Sequence, residues 1–255
     1  MKVRSLICLL WIAILPWEIL SAQTKVIAHR GYWDCEGSAQ NSIASLKKAQ
    51  ELNIYGSEFD VWMTSDGVLI VFHDSKIEGL TIEDTPYAQL KDLSLKNGEK
   101  IPTLEAYLQQ GKKDQRTKLI LELKPHNSKG KEDEAVAAVV KMVQKNGMRK
   151  QTEYISFSMN ICKELLRFDS KADVAYLNGD LPPNELKTLK ISGIDYNTSV
   201  LKKNKHWIDE ARKLNMTVNV WTVNDEADMQ AMINAGVHYI TTDKPTVAKS
   251  LTSKF

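Results

Sequence analysis

The stretch 57-SEFDVWMTSDGVLIVFHD-74 consists of two apolar runs joined by a short polar connection. The pair Asp66-Gly67 in that connection is typical of a β-hairpin turn. A connection this short cannot hold the crossover that two parallel strands require. We therefore predict that residues 57–73 form one barrel strand that extends past the rim, turns, and returns antiparallel to itself. The number of barrel strands predicted for the whole chain depends on this hairpin.

Short apolar runs alternate with amphipathic stretches along the rest of the chain. The candidate strands are residues 26–29, 57–63, 68–73, 118–124, 153–158, 173–177, 193–197, 217–223 and 238–243. Strands that alternate with helical patterns predict right-handed βαβ units and a parallel sheet. Because the second and third runs form the hairpin, eight parallel strands remain. The predicted fold is α/β, a distorted (β/α)8 TIM barrel with a β-hairpin extension after the second strand.

The first residues have the layout of a secretory signal peptide. Lys2 and Arg4 precede an apolar run, and the small residues Ser21 and Ala22 follow it. The run is shorter than the roughly 20 residues that cross a bilayer, although an uncleaved anchor stays open as an alternative. We predict a signal peptide at 1–22 and a single barrel domain at 23–255. The mature protein is expected to be periplasmic or secreted, with no stable membrane anchor after leader removal.

Charge and cysteine content restrict the classes of partner. The 34 basic and 32 acidic residues give a net charge of +2, which gives no reason to expect nucleic acid as a partner. An anionic ligand would have to be bound at a local site. Cys35 and Cys162 remain after leader removal in a compartment that permits disulfides. Their spacing favours two free thiols, and a disulfide between them stays open.

Acidic residues interrupt two of the apolar strands. Glu58 and Asp60 are two positions apart, so both side chains point to the same face. At the rim of a barrel they would repel one another unless a cation lies between them, and Mg²⁺ or Ca²⁺ suits such oxygen ligands. Glu122 on the next barrel strand would complete a three-carboxylate site. The alternatives are a solvated surface strand for the first pair and a simple ion pair between Glu122 and Lys124.

Two histidines lie at strand ends. His29 follows the first strand, and the predicted hairpin returns His73 to the neighbourhood of Asp60. Two histidines beside carboxylates at one barrel mouth favour general acid and base catalysis. Arg30 and Lys124 supply the donors that a phosphate or phosphodiester requires. The residues therefore predict an anion-binding, metal-assisted catalytic site.

Seven motifs occur in a fixed order along the chain. They are 29-HRG-31, 58-EFDV-61, 64-TSDG-67, 73-HD-74, 101-IPTLE-105, 122-ELK-124 and 221-WTVN-224. Together they resemble the glycerophosphodiester phosphodiesterase family, and the resemblance extends from about Thr24 to Pro245. The ordered set carries the resemblance, since each motif alone is short.

The resemblance implies a barrel enzyme that hydrolyses glycerophosphodiesters, such as deacylated phospholipids, to glycerol 3-phosphate and an alcohol. It also implies one divalent cation, Mg²⁺ or Ca²⁺. The implied site residues are Glu58, Asp60 and Glu122 for the metal, His29 and His73 for catalysis, Arg30 and Lys124 for the phosphate, and Trp221 for the glycerol side of the pocket. Which histidine is the acid and which the base stays open, and His126 is a further candidate for contacting the ligand.

The chain departs from the family pattern after the first strand. The family usually has Pro-Glu-Asn-Thr where this chain has 39-AQNS-42, so Gln40 stands in place of a carboxylate. Two alternative functions remain, a related two-histidine barrel phospholipase acting on intact phospholipid and a non-catalytic secreted barrel that binds glycerophosphodiesters. The mostly polar segment 75–100 speaks against the first. The presence of both histidines and all three acids speaks against the second.

Overall fold

The computed structural model describes residues 23–253 of the chain, and the predicted signal peptide lies outside these residues. The strands are β1 (Lys25–Ala28), β2 (Gly56–Met63), β3 (Leu69–Val71), β4 (Lys76–Ile77), β5 (Leu80–Thr81), β6 (Lys118–Leu123), β7 (Thr152–Ser156), β8 (Val174–Tyr176), β9 (Gly193–Asn197), β10 (Thr217–Trp221) and β11 (Tyr239–Thr242). The helices are α1 (Ile43–Glu51), α2 (Tyr87–Leu90), α3 (Leu104–Gly111), α4 (Lys129–Lys145), α5 (Met159–Phe168), α6 (Pro183–Thr188), α7 (Thr198–Lys203), α8 (His206–Lys213), α9 (Glu226–Asn234) and α10 (Pro245–Thr252), with a 3₁₀ turn at Ile82–Asp84.

Eight parallel strands close into a barrel, as predicted. Around the barrel the order is β1, β2, β6, β7, β8, β9, β10 and β11, and β11 pairs again with β1. The strand β3 pairs antiparallel with β2, with Val61 opposite Val71, so the predicted hairpin is confirmed. The Phe72 N–H donates to the Asp60 carbonyl at 3.0 Å, which continues the hairpin towards His73.

The helical patterns that alternate with the strands are all present as helices, and local side chains mark where several of them begin. Ser, Thr or Asp side chains accept a hydrogen bond from a backbone N–H of the first turn and so satisfy a group that the helix itself leaves unpaired. These caps are Ser42, Thr103, Ser128, Ser158 and Asp225.

The two faces of each barrel strand pack against different surroundings. On β2, whose eight residues are all buried, Phe59 stacks on Tyr107 of α3 with ring centroids 4.3 Å apart. The opposite, inward face of the same strand carries Glu58. Inside the barrel a small apolar layer fills the space below the site and consists of Ile27, Ile120, Ile155 and Leu177. The polar residues therefore lie above a packed floor, at the carboxyl ends of the strands.

Residues 75–100, which we name the cap segment, fold over one side of the barrel mouth. The segment contains the β4–β5 ribbon, the 3₁₀ turn and α2. Its apolar residues Ile77, Ile82, Leu90 and Leu95 pack with Trp62 in a second small core. Sequence analysis recognised only the polar composition of the segment, because single apolar residues in it lack a regular period.

Two sequence-based interpretations concern features away from the site. Cys35 and Cys162 are both free, as the spacing favoured. Among residues 23–253, no helix has the length and apolar character needed to cross a membrane.

Candidate active site

The carboxyl ends of the barrel strands surround a cavity of about 210 Å³. Seven of the eight sequence-predicted site residues line it, and Asp60 lies directly behind them. The cavity is lined by His29, Arg30, Glu58, His73, Glu122, Lys124, Ile155, Phe157, Leu177, Asp195, Trp221, Thr222 and Thr241. The hairpin and the parallel strand ends thus bring the predicted residues to one place.

Three buried carboxylates form a cluster suited to a metal ion. Glu58, Asp60 and Glu122 each offer an oxygen within 4.8 Å of the others, a spacing that one ion with ligands at about 2.3–2.6 Å can span. Glu58 Oε2 accepts a 2.7 Å hydrogen bond from the Arg30 N–H, whereas its buried Oε1 has no hydrogen-bond partner among the described residues. A free carboxylate oxygen beside two further acids fits a hard divalent cation. The surface-strand alternative for this pair is wrong, because both acids are almost fully buried.

The three carboxylates and Lys124 shift one another's pKa values. Lys124 Nζ lies 2.7 Å from Asp60 Oδ1 and 2.5 Å from Glu122 Oε1, so the ion pair considered for Glu122 exists within the same cluster. Burial raises the pKa of Glu122 to about 7, and burial together with the neighbouring Asp60 and Glu122 raises that of Glu58 well above its ordinary value. Although burial opposes ionisation, the Lys124 ammonium holds the pKa of Asp60 below its ordinary value. If all three acids were ionised, their charge would exceed that of Lys124, and a divalent cation would neutralise the excess.

The loop after β1 holds the arginine in a constrained conformation. Arg30 has φ +56° and Gly31 has φ +77°, a left-handed turn that only glycine adopts without strain. A Cβ at Gly31 would lie 2.3 Å from Ser45 Oγ, so no larger residue fits there. The Arg30 side chain donates from Nη1 to Gln40 Oε1 at 2.8 Å. Gln40 therefore still supports Arg30, with a neutral amide oxygen.

His29 is oriented by an acid at the end of the last strand. His29 Nδ1 lies 2.8 Å from Asp243 Oδ1, which leaves Nε2 for proton transfer. Asp243 also accepts hydrogen bonds from Trp33 Nε1 at 3.0 Å and Asn224 Nδ2 at 2.7 Å. Although burial opposes ionisation, these contacts, led by that of His29, lower the pKa of Asp243 to about 2. Sequence analysis missed Asp243, whose only signal was an acid ending a strand, as in the metal cluster.

His73 lies at the junction of two cavities. Its Nδ1 is 2.7 Å from Asp74 Oδ1, so Nε2 is again the nitrogen left for chemistry. Burial lowers the pKa of His73, which favours the neutral imidazole. His73 and Arg30 also line a second, larger cavity of about 720 Å³ between the loop after β1 and the cap segment. The two residues thus face both the small cavity and the large one.

Two polar residues behind the site have structural contacts. Asn41, with φ +61°, donates to Asp60 Oδ2 at 2.8 Å and accepts from the Asp60 N–H at 3.1 Å, so it orients that carboxylate. His126 is buried, and its Nε2 accepts a hydrogen bond from the Met63 N–H at 3.2 Å. The suggestion that His126 contacts the ligand is therefore wrong: it joins the loop after β6 to β2 instead.

The other half of the small cavity is apolar. Its wall consists of Ile155, Phe157, Leu177 and Trp221, and sequence analysis identified only the tryptophan. The indole Nε1 of Trp221 donates to the Asp195 carbonyl at 2.8 Å, so the ring presents its apolar surface to the cavity. Asp195 lies at the floor, and burial raises the pKa of its side chain to about 7.

Comparisons with known proteins agree with this geometry. The model of the "Glycerophosphoryl diester phosphodiesterase family" matches residues 29–247. A curated glycerophosphodiester phosphodiesterase from Caldanaerobacter subterraneus is 28% identical over 247 residues, covering 91% of this chain and 99% of the relative.

Solved structures share the fold across nearly the whole described chain. A crystal structure of a glycerophosphodiester phosphodiesterase from Parabacteroides distasonis is 49% identical, with a TM-score of 0.91 and coverage of 92% of this chain and 98% of that one. A phosphodiesterase from Oleispira antarctica, solved in complex with its product sn-glycerol-3-phosphate, is 25% identical. Its TM-score is 0.79, and the match covers 91% of this chain and 97% of that one.

Proposed function

Because the chain belongs to the glycerophosphoryl diester phosphodiesterase family and is a phosphodiesterase by that membership, we propose that it cleaves glycerophosphodiesters with a divalent cation and two catalytic histidines. The products are glycerol 3-phosphate and an alcohol. One observation carries the proposal: His29 and His73 line a single cavity beside a buried cluster of three carboxylates. The complex of the Oleispira antarctica relative with sn-glycerol-3-phosphate supports it.

The phosphate is held on the charged side of the cavity. Glu58, Asp60 and Glu122 would bind Mg²⁺ or Ca²⁺, which would stabilise negative charge on the phosphoryl oxygens. Arg30, fixed by its strained backbone and by Gln40, donates to the phosphate from the open side. Lys124 keeps its charge and supplies a second cation. Although burial opposes this, Asp60 and Glu122 raise the pKa of Lys124 above its ordinary value.

The two cavities suggest a role for each histidine. The small cavity, with its apolar wall, suits the three-carbon glycerol unit, and the larger one suits the departing alcohol. His29 lines only the small cavity and has Asp243 to stabilise its protonated form, so it serves as the general base. His73 faces both cavities and serves as the general acid at the bond that breaks. Because burial lowers its pKa, only a minor fraction of His73 is protonated near neutral pH, and that protonated form is the stronger acid.

The reaction then proceeds in two balanced steps. The glycerol hydroxyl next to the ester gives its proton to His29 Nε2 and attacks phosphorus, while the bond from phosphorus to the alcohol oxygen breaks. His73 gives a proton to that oxygen, and the alcohol leaves. Water then opens the resulting cyclic phosphate, with His73 now accepting a proton from water and His29 returning one to the glycerol oxygen. Each histidine ends in its starting protonation state.

We further propose that the protein acts outside the cytoplasm. The support is residues 1–22, which combine basic residues, an apolar run and small residues in signal-peptide order. Amino-terminal sequencing of the protein recovered from fractionated cells tests this. A mature chain beginning near residue 23 is expected, and an intact leader in the cytoplasmic fraction would overturn it.

The activity is tested by hydrolysis of glycerophosphocholine, glycerophosphoethanolamine and glycerophosphoglycerol with Mg²⁺, Ca²⁺ or a chelator. We expect release of glycerol 3-phosphate that requires a divalent cation and is lost in Glu122→Gln. Full turnover in chelator would overturn the metal requirement. Cleavage of an intact phospholipid in place of these diesters would favour the phospholipase alternative. Ligand binding without turnover would favour the non-catalytic barrel.

A further inference from the structure

Asp195 is a buried acid that the proposed mechanism does not use. It comes from β9, on the side of the barrel away from the metal cluster, and lines the floor of the small cavity. Only 2% of the residue is exposed, and its Oδ1 has no hydrogen-bond partner among the described residues. A buried carboxyl oxygen without a partner is unfavourable unless a ligand or water meets it.

Asn219 lies beside the Asp195 carboxyl group and opposes the rise that burial causes in its pKa, although the hydrogen bonds of Asn219 within 3.5 Å go to other residues. Asn219 Nδ2 donates to Thr241 Oγ1 at 2.8 Å, and Asn219 Oδ1 accepts from the Val220 N–H at 2.9 Å. The Trp221 indole binds the backbone carbonyl of Asp195 and leaves the carboxyl group alone. No salt bridge to Asp195 occurs within residues 23–253. Among residues 23–253, the Asp195 carboxyl group therefore has the Asn219 amide as a neighbour but no salt bridge and, at Oδ1, no hydrogen bond.

The glycerol unit of the proposed substrate has a polar group in need of a partner. In the proposed reaction its phosphate would lie on the charged wall and its middle hydroxyl would face His29, so the terminal hydroxyl would point towards the opposite side. That side is formed by Phe157, Leu177 and Trp221, none of which offers it a hydrogen bond. The hydroxyls of Thr222 and Thr241 also line the cavity, but Asp195 is the buried acid at its floor, with an oxygen that has no hydrogen-bond partner among the described residues.

We propose that the Asp195 carboxyl group hydrogen-bonds the terminal hydroxyl of the glycerol unit. This contact makes the small cavity selective for glycerol over diols that lack the terminal hydroxyl. The proposal rests on the proposed function and adds a specificity-determining residue to it. Selectivity follows because a substrate with a methyl group in place of this hydroxyl would leave the buried carboxyl oxygen unpaired. This hydrogen bond would also account for a buried acid at position 195.

The test compares two substrates that differ in that one hydroxyl. Glycerophosphocholine has it, and 2-hydroxypropyl phosphocholine keeps the attacking hydroxyl but ends in a methyl group. We expect wild-type kcat/KM to be about 10- to 100-fold higher for glycerophosphocholine, as a site built to bind a hydroxyl rejects the analogue without it. In Asp195→Val, which is similar in size and suits a strand, the ratio should fall to near one. In Asp195→Asn, which keeps a hydrogen-bonding group, much of the ratio should remain.

The outcomes separate this role from a structural one. A small void of about 30 Å³ below Asp195 has room for one water, and an acid that only binds such a water would be structural. In that case Asp195→Val would slow both substrates by the same factor, which would overturn the proposal. A wild-type ratio near one would overturn it without any variant. Thermal unfolding of each variant checks that the barrel is intact.

Failure of the proposed function is distinguishable from failure of this inference. If wild-type protein cleaves neither diester, the proposed reaction is wrong. Calorimetric binding of sn-glycerol 3-phosphate and of 1,2-propanediol phosphate then tests Asp195 directly. Tighter binding of the glycerol compound that disappears in Asp195→Val supports the subsite, and equal binding by the wild type overturns it.

Discussion

The mouth of the barrel has two unlike halves. The half built by β1, β2 and β6 is ionic: acids, histidines and cations lie within hydrogen-bond distance of one another, as Lys124 does with Asp60 and Glu122. The half built by β7, β8 and β10 is apolar, with Phe157 packed edge-on to Trp221 at 5.6 Å between ring centroids. In the proposed function, one half would hold the charge of a phosphodiester and the other would shield its carbon chain.

The difference shows that the two halves are specified in different ways. In the ionic half, buried charges depend on partners from other elements, as when Asn41 in the loop before α1 meets Asp60. In the apolar half, Ile155 and Leu177 belong to the same packed layer that fills the barrel interior. Substitutions in the first half should therefore change the chemical step, and substitutions in the second should mainly change binding.

Loss of His73, the proposed general acid, should have the largest effect. We expect His73→Ala to lower kcat by about 10²- to 10⁴-fold, the usual contribution of general acid–base catalysis. His206→Ala removes an exposed histidine at the start of α8 and should leave kcat unchanged. Steady-state kinetics on glycerophosphocholine measures both. If His73→Ala keeps kcat within tenfold of the wild type, the histidine is not the proton donor.

Loss of the acid behind His29 should have the next largest effect. Asp243→Asn keeps the shape but loses the charge that orients His29 and stabilises its protonated form. We expect kcat to fall about 10²-fold with little change in KM, since general base catalysis is impaired and the phosphate contacts are intact. A change confined to KM would mean that Asp243 serves binding only.

The same variant should alter the pH dependence of stability. Since the pKa of Asp243 is lowered to about 2 in the folded state, its carboxylate stabilises the fold above about pH 4. This stabilisation disappears as the pH falls from about 4 towards 2, when the carboxylate is protonated. In urea unfolding, the gap between wild type and Asp243→Asn should be largest at pH 6 and should narrow below pH 4. A gap that stays constant with pH would contradict the assignment.

The apolar half should respond more weakly. Trp221→Leu removes aromatic surface and the hydrogen bond to the Asp195 carbonyl. We expect KM for glycerophosphocholine to rise about tenfold while kcat falls less, because burying a smaller side chain loses on the order of 1–2 kcal/mol of apolar contact. Phe168→Leu, at an aromatic residue that is 41% exposed, is the matched control and should change neither constant. A larger loss in kcat than in KM would place Trp221 in the chemical step.

The smallest effect is expected at the border of the ionic half. Gln40→Glu would put a carboxylate against the Arg30 guanidinium and draw positive charge away from the phosphate. We expect KM to rise about two- to fivefold, in line with the energy of roughly 1 kcal/mol or less of a partly exposed ion pair. Gln115→Glu, at an exposed position away from the site, should leave KM unchanged. A lower KM in Gln40→Glu would show that a charged partner improves Arg30.

Sequence patterns alone predicted a large part of this molecule. The eight parallel strands and the hairpin followed from apolar periodicity and from the turn at Asp66-Gly67, which are local properties of the chain. The carboxylate cluster was predictable because charged residues such as Glu58 and Glu122 stand out against the apolar strands that carry them. A charged residue within an apolar strand can be recognised from the sequence alone. That such residues lie close together follows from the parallel barrel, because its strands share one carboxyl end.

The supporting residues were decided only by the tertiary structure. Asp243 and His29 lie at opposite ends of the chain and meet because the last barrel strand closes on the first. The apolar wall consists of ordinary core residues, and the segment that caps the mouth has no periodic pattern. The sequence by itself determined which strands form and which charges they carry. Closure of the barrel decided which distant side chains meet, because contacts between residues far apart in the chain leave no periodic signal in it.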